Sequence, residues 1–204
     1  MCVEMSWDEA RGYGRLPAES PRTDFFDEYH HKDVTDMGRQ LVERRLALLR
    51  QYVSSREGVI DVGIGGGAFV TACFGARGLD VDPKAIEWLK ERKLQATLAD
   101  DPVALTFWDS FEHIDDPIAL LRGFKPSYVV MSIPLFAGRE AVLVSKHYKP
   151  GEHIWYFTFH GLLEYMDPYR CVHVSRMEEL LGREGIATLV FADQDEAMRL
   201  RCLT

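Results

Sequence analysis

Val59-Ile-Asp-Val-Gly-Ile-Gly-Gly-Gly-Ala68 is a short apolar run that breaks into glycines, and a second apolar stretch, Ala68 to Phe74, follows it. Read as strand, loop and helix, it lets the backbone pass close to a ligand and aims the amides of a helix N-terminus at it. Downstream, Gly78-Leu-Asp-Val-Asp-Pro83 reads as a second strand ending in acids, with Asp82 as cap and Pro83 at the first helical position. That helix runs through Ile86 and Leu89 to Lys93. Strands are then expected at Ala96 to Ala99, Val103 to Phe107 and Tyr128 to Ile133, with a helix at Ile118 to Leu121. Such alternation predicts a mainly parallel sheet covered on both faces. Upstream, Met37, Leu41, Val42, Leu46, Leu49 and Val53 recur at helical spacing behind Asp36, the expected cap. Residues 1–34 read as a polar, aromatic arm, and 35–204 as one domain. Residues 137–170 carry few regular signals, and Cys171 to Val174 and Ile186 to Phe191 are two late strands.

Composition narrows the function classes. The chain has 204 residues, 47% of them apolar and 27% charged, a globular balance. A net charge of −8 repels polyphosphate backbones, so duplex nucleic acid is not an expected partner. Cys2, Cys73, Cys171 and Cys202 form no C-x-x-C pair, which fits free thiols in a reducing compartment; the cytoplasm is the expected location. Met1 to Arg15 lacks the apolar segment of a secretion signal, and Tyr128 to Gly138, the longest apolar stretch, is too short to span a bilayer.

The glycine loop has two readings. Gly63-Ile-Gly-Gly-Gly-Ala68 satisfies G-x-G-x-x-A, with Asp80 placed to bind ribose hydroxyls, which is the pattern of an NAD(P)-dependent oxidoreductase. Asp61 argues otherwise. An acid two residues before the first glycine would repel a pyrophosphate, but would attract the cationic α-amino group of S-adenosylmethionine. Asp61 followed by Gly63, Gly65 and Gly67, with Asp80 beyond, resembles the class I methyltransferase motif. Val103 to Pro117 resembles the segment after the fourth strand of small-molecule methyltransferases, Tyr128 to Pro134 their fifth strand, and Glu152 to Thr158 their substrate-side insertion. From about Phe25 to Phe191 the chain is similar to methyltransferase-domain proteins of tailed phages and bacteria.

The resemblance implies a Rossmann-like α/β class I methyltransferase fold, with a mostly parallel seven-stranded sheet and helices on both faces. It implies a cofactor set of Asp61, Gly63, Gly65, Gly67, Asp80, Val81, Asp100, Trp108 and Asp109 in an S-adenosylmethionine-binding domain. The expected activity is methyl transfer to a small-molecule acceptor; the alternatives are the oxidoreductase and a non-catalytic S-adenosylmethionine-binding module. Trp108-Asp-Ser-Phe111 does not match the Asn/Asp-Pro-Pro-aromatic motif of amino-methylating DNA enzymes, and no cysteine follows a proline as cytosine C5 enzymes require.

Asp109, Glu112 and His113 lie at i, i+3 and i+4, one face of a helical turn if one forms there. The trio is similar to the E-x-x-E-H motif of ubiquinone-biosynthesis O-methyltransferases and small-RNA 3′-terminal 2′-O-methyltransferases, where it holds a divalent metal. Here Asp109 shortens one arm, and a fourth ligand would have to come from His153 or His147. The balance favours a structural turn without metal, because three ligands do not define a site. His113 is then the candidate base, its ordinary pKa of about 6.5 suiting proton removal from a hydroxyl or amine. His153 and Tyr156, with Trp155, Phe157 and Phe159, read either as a substrate-facing wall or as core. His30 and His31 in the arm are placed to close over the site, or simply lie at the surface.

Overall fold

Two short strands, β1 (Ser6–Asp8) and β2 (Tyr13–Arg15), open the chain in the computed structural model, which describes residues 4–18, 25–53 and 58–202. Helices α1 (Phe25–Asp33) and α2 (Asp36–Tyr52) follow. Asp36 is not the cap of α2. Thr35 is, with extended backbone and Oγ1 accepting from the Gly38 amide at 3.1 Å, so Asp36 falls in the first turn, where its charge complements the helix dipole.

The central layer then assembles as β3 (Val59–Val62), α3 (Ala68–Ala72), β4 (Arg77–Leu79), α4 (Pro83–Glu91), β5 (Ala104–Trp108), α5 (Pro117–Phe124) and β6 (Tyr128–Phe136). Asp82 does cap α4, accepting from Lys84 N at 2.9 Å with Pro83 in the first turn. After α6 (Arg139–Leu143) come β7 (Trp155–Thr158), α7 (Phe159–Tyr165), β8 (Arg170–Ser175), β9 (Ile186–Ala192) and α8 (Gln194–Arg201).

Strands β4, β3, β5 and β6 lie side by side and parallel; β9 runs antiparallel along Tyr128 to Pro134 of β6, and β8 antiparallel to β9. The result is the largely parallel, helix-covered α/β sheet expected, with nine strands among the described residues where seven were expected. The strand expected at Ala96 to Ala99 shrinks to one bridge between Gly78 and Gln95. Three further strands extend the sheet instead. β7 pairs in parallel with Leu135–Phe136 at the end of β6, β2 joins β7, and β1 closes the edge as a hairpin with β2.

Alternation along β5 divides the core. Trp108 packs with Leu46, Leu49, Phe69 and Val130 on the face of α2 and α3, while Phe107 packs with Phe111, Phe124, Met131 and Phe191 on the other. β3, β5 and β9 are buried along their whole length, which is why they read as continuous apolar runs. Among the described residues no helix is long and apolar enough to cross a membrane, and the described cysteines are free thiols.

Candidate functional site

The glycine loop leaves the C-terminal end of β3, where ligands of open α/β sheets bind. Beneath it Asp61 is 1% exposed and takes a 2.7 Å hydrogen bond from Thr106 Oγ1 on β5. Burial pushes its carboxyl up to about 7, against the pull of that hydroxyl and the charge of Arg45. Asp80, at the end of β4, accepts from the amides of Ile64 (2.8 Å), Val81 (2.7 Å) and Asp82 (2.9 Å), tying the glycine loop to the second strand. Val81 stands exposed beside it. Gly65 and Gly67 have φ of +54° and +86°. A Cβ on Gly67 would come 2.6 Å from the Trp88 ring, and one on Gly65 would touch the ring of Tyr29 at 3.5 Å.

Tyr29 belongs to α1, which lies across the loop. Phe26 N donates to Asp82 Oδ2 at 3.0 Å, and His30 Nδ1 donates to the Gly66 carbonyl at 3.1 Å. Asp33 Oδ2 accepts from Ala68 N at 3.3 Å, so a carboxylate of the protein itself occupies the N-terminus of α3. Phe25 packs edge-on against His113. Of the two arm histidines, His30 meets the loop and His31 is exposed.

Asp109 departs from the expected helical face. Its φ is +57°, and the following 3₁₀ turn spans only Phe111–His113, so the i, i+3, i+4 alignment with Glu112 and His113 does not form. Its Oδ2 instead takes Arg45 Nη2 at 3.2 Å and Arg183 Nη2 at 2.8 Å. Both arginines also hold Glu178, a fully buried carboxylate that accepts from Arg45 Nε (2.9 Å), Ser132 Oγ (2.6 Å) and Arg183 Nη1. Burial alone would raise Glu178, but the two guanidiniums hold it below the usual carboxylate range. The Arg45 guanidinium stacks 4.8 Å from the centre of the Trp108 ring. Arg45, Glu178 and Arg183 escaped the sequence reading, since Arg45 lies 64 residues from Asp109 and 133 from Glu178, too far to share a local pattern.

His153 takes the place expected of Asp109. One ligating atom from each of Glu112, His113 and His153 lies within 4.8 Å of the others, and the two imidazole centroids are 4.6 Å apart. The backbone links the two segments, Ile154 N donating to the Glu112 carbonyl at 2.8 Å, while His113 Nδ1 donates to the Glu152 carbonyl at 2.9 Å. Glu112 Oε2 and His153 Nδ1 are buried with no partner among the described residues. Burial lowers His113, pushes His153 down to about 3, and raises Glu112, which also feels Asp109. His147, the other histidine considered, donates to the Glu184 carbonyl.

Two expected site residues lie elsewhere. Asp100 caps its own turn at Thr97 and pairs with Arg77 at 3.2 Å; with Gly58 and Pro102 it lines a cleft at the N-terminal ends of β3 and β4, opposite the loop. Tyr156 is fully buried against Met5, Leu16 and Val142, and its hydroxyl bonds backbone at Lys149 and His153, so it faces core and not substrate. Trp155, Phe157 and Tyr165 likewise pack on one another.

No protein-family model matches the chain, and no curated protein matches it by sequence. Solved structures do match its fold. A SAM-dependent methyltransferase of Thermotoga maritima, described as a possible histamine N-methyltransferase, superposes with a TM-score of 0.56 at 16% identity, over 83% of this chain and 96% of that one. The N-methyltransferase NodS of Bradyrhizobium japonicum WM9, in complex with S-adenosyl-L-homocysteine, gives 0.51 at 15%, over 84% and 99%. The small RNA methyltransferase HEN1 gives 0.54 at 15%, over 89% of this chain and 27% of that one. At these identities the likeness establishes the fold, that of the class I SAM-dependent methyltransferases.

Proposed function

We propose that the protein transfers a methyl group from S-adenosylmethionine to a small-molecule acceptor bound beside His113 and His153. The arrangement of acids around the glycine loop carries this reading. Asp61 is buried without an ion-pair partner among the described residues, and Asp33 already accepts from the first amide of α3. A dinucleotide pyrophosphate would meet two carboxylates there, whereas a cofactor ammonium would gain one. The fold's neighbours include a methyltransferase with S-adenosyl-L-homocysteine bound, which supports the same cofactor. The test is calorimetry and thermal denaturation with S-adenosylhomocysteine and with NADH. At a hundredfold excess over Kd the former should raise Tm by about 5–10 °C. Stabilisation by NADH alone would overturn the assignment.

Methyl transfer is an in-line displacement: the acceptor's lone pair forms a bond to the methyl carbon as the carbon–sulfur bond breaks onto the sulfonium. Most of the rate then comes from holding the two partners in line. In this chain the glycine loop and Asp80 would fix the adenosyl part, and α1 would exclude water from above. His113 donates from Nδ1 to the Glu152 carbonyl, which leaves the Nε2 lone pair to take the acceptor's proton. Burial lowers the pKa of that ring, which favours its neutral form.

A second reading has one observation in its favour, the two orphaned buried atoms in the Glu112–His113–His153 cluster. Two imidazoles and a carboxylate suit a divalent ion such as zinc, iron or manganese. His113 is already oriented through its other nitrogen, as metal-bound histidines are. Such an ion would supply Lewis acidity, lowering the pKa of an acceptor hydroxyl. Elemental analysis and activity after EDTA treatment separate the readings: stoichiometric metal and EDTA-sensitive turnover favour the ion, their absence the base.

A further inference from the structure

We propose that the methyl acceptor is a primary amine, its nitrogen held as an ammonium by Glu112, His113 and His153. This rests on the S-adenosylmethionine reading above and narrows it to N-methylation. The backbone orients both imidazoles. His113 Nδ1 donates to the Glu152 carbonyl, so its Nε2 carries a bare lone pair. The His147 carbonyl accepts from the His153 ring, and Nδ1 is the nitrogen left without a partner, so it too presents a lone pair. Glu112 Oε2 is the third acceptor, buried and unpartnered among the described residues.

Donor counting separates the acceptor classes. One ligating atom of each side chain lies within 4.8 Å of the others. Three acceptors about 2.9 Å from one tetrahedral nitrogen stand about 4.7 Å apart, so a single ammonium reaches all three. Its three N–H groups match the three lone pairs. A hydroxyl brings one donor and would leave two buried acceptors unpaired, each at a desolvation cost. Charge points the same way. Asp109 is paired with Arg45 and Arg183, and Glu152 with Lys149 at 3.4 Å, while Glu112 has no cation among the described residues. Phe25, edge-on against His113, offers an apolar wall to the amine's carbon chain.

In the transfer, one ammonium proton passes to His113 Nε2. The amine keeps two N–H donors for Glu112 and His153, and its lone pair bonds the methyl carbon as the carbon–sulfur pair returns to sulfur. The product is a secondary ammonium with two N–H groups, and the imidazolium gives its proton to water. One of the three acceptors is then unpaired, which weakens product binding.

The test uses the full chain with isotopically labelled histidine, treated with EDTA and saturated with S-adenosylhomocysteine. The ring-nitrogen signals of His113 and His153 are followed by NMR as methylammonium, tetramethylammonium or methanol is added. Methylammonium carries the ammonium of every primary amine, tetramethylammonium the same charge without an N–H, and methanol one O–H without charge. Methylammonium should move both sets of signals and bind at least tenfold more tightly than either other probe. Glu112→Gln should weaken it at least tenfold and leave S-adenosylhomocysteine affinity within threefold of wild type. Equal binding of tetramethylammonium or of methanol overturns the proposal, and so do wild-type imidazole signals that methylammonium leaves unmoved. Zinc retained through EDTA treatment, with methylammonium excluded, overturns it in favour of the ion. If Glu112→Gln does not fold, the wild-type ratios and His153→Leu decide, the latter expected to lose at least tenfold in methylammonium affinity. Calorimetry with S-adenosylhomocysteine on the same protein keeps the two readings apart. Cofactor binding without methylammonium binding refutes the amine alone, and no cofactor binding refutes both.

Discussion

Asp61, proposed above as the cofactor ammonium's partner, illustrates how a buried carboxyl can weaken the fold that holds it. Its carboxyl is raised to about 7 from an unfolded value near 3.8, so between those pH values the native state binds a proton that the unfolded chain releases. The stabilisation from this group is complete below the lower value and lost as pH rises through the upper one. Asp61→Asn keeps an acceptor for Thr106 without the charge, and should raise Tm at pH 8 by about 3–8 °C while weakening S-adenosylhomocysteine at least tenfold. In the wild type, affinity should fall as pH drops below 7, because the ammonium needs the ionised carboxylate. Calorimetry from pH 5.5 to 8.5 checks both, and a pH-independent affinity would count against Asp61 as the ammonium's partner. His153 carries the opposite sign: lowered to about 3, it contributes stability above about 6.5 that is lost as pH falls. If the cluster holds an ion, Mn²⁺ or Zn²⁺ should raise Tm in the wild type and not in His153→Ala, a contrast read directly by thermal denaturation. Asp61 and the glycines were legible because their meaning is local, a strand end and a tight loop. The Arg45–Glu178–Arg183 lattice was not, because an arginine on a helix and a glutamate after a strand look like solvated surface until the fold joins them.

α1 is the element whose position matters most for ligand entry. Tyr29 lies against Gly65, His30 bonds the Gly66 carbonyl, and Asp27 pairs with Lys84 on α4, so the helix spans the loop from α3 to α4. A ligand that must approach the glycine backbone has to displace the Tyr29 ring. Joining α1 to α4 through Asp27→Cys and Lys84→Cys should therefore slow association of S-adenosylhomocysteine at least tenfold in the oxidised protein, with recovery in dithiothreitol. Stopped-flow binding measures this, and an unchanged rate in the oxidised form would show that entry needs no movement of α1. The sequence hinted at such a cover only through the aromatic–histidine cluster before residue 34. Elements of three or four residues fared worse. β7, β1 and β2 are too short to display a period, and of His153, Trp155, Tyr156, Phe157 and Phe159, which read equally as wall or core, Tyr156 and Phe157 are fully buried while Phe159 is exposed. Conversely, Ala96 to Ala99 has apolar residues enough for a strand, but only Gln95 meets Gly78.

Across the whole molecule, the two sides of the site rest on different supports. The glycine loop, Asp61 and Asp80 are fixed by β3–β5 and by α1 to α4, whereas His153 is placed by β7, which leans on the β1–β2 hairpin. The joint is tight. The Gly12 carbonyl accepts from both Thr158 N (2.8 Å) and Thr158 Oγ1 (2.9 Å), and a Cβ at Gly161 would fall on that same carbonyl. Gly161→Val should push the hairpin off β7 and α7, an overpacking cost of about 1–3 kcal/mol. Because the strain lies outside the cofactor side, S-adenosylhomocysteine affinity should stay within threefold of wild type while turnover on an acceptor falls at least tenfold. Hydrogen exchange should accelerate in residues 6–16 and 153–165 and remain unchanged in 59–91. Acceleration spread evenly over both regions would mean that the two sides unfold as one unit. Loss of cofactor binding in a folded Gly161→Val protein would mean that β7 also shapes the cofactor pocket, and that the acceptor side has no support of its own.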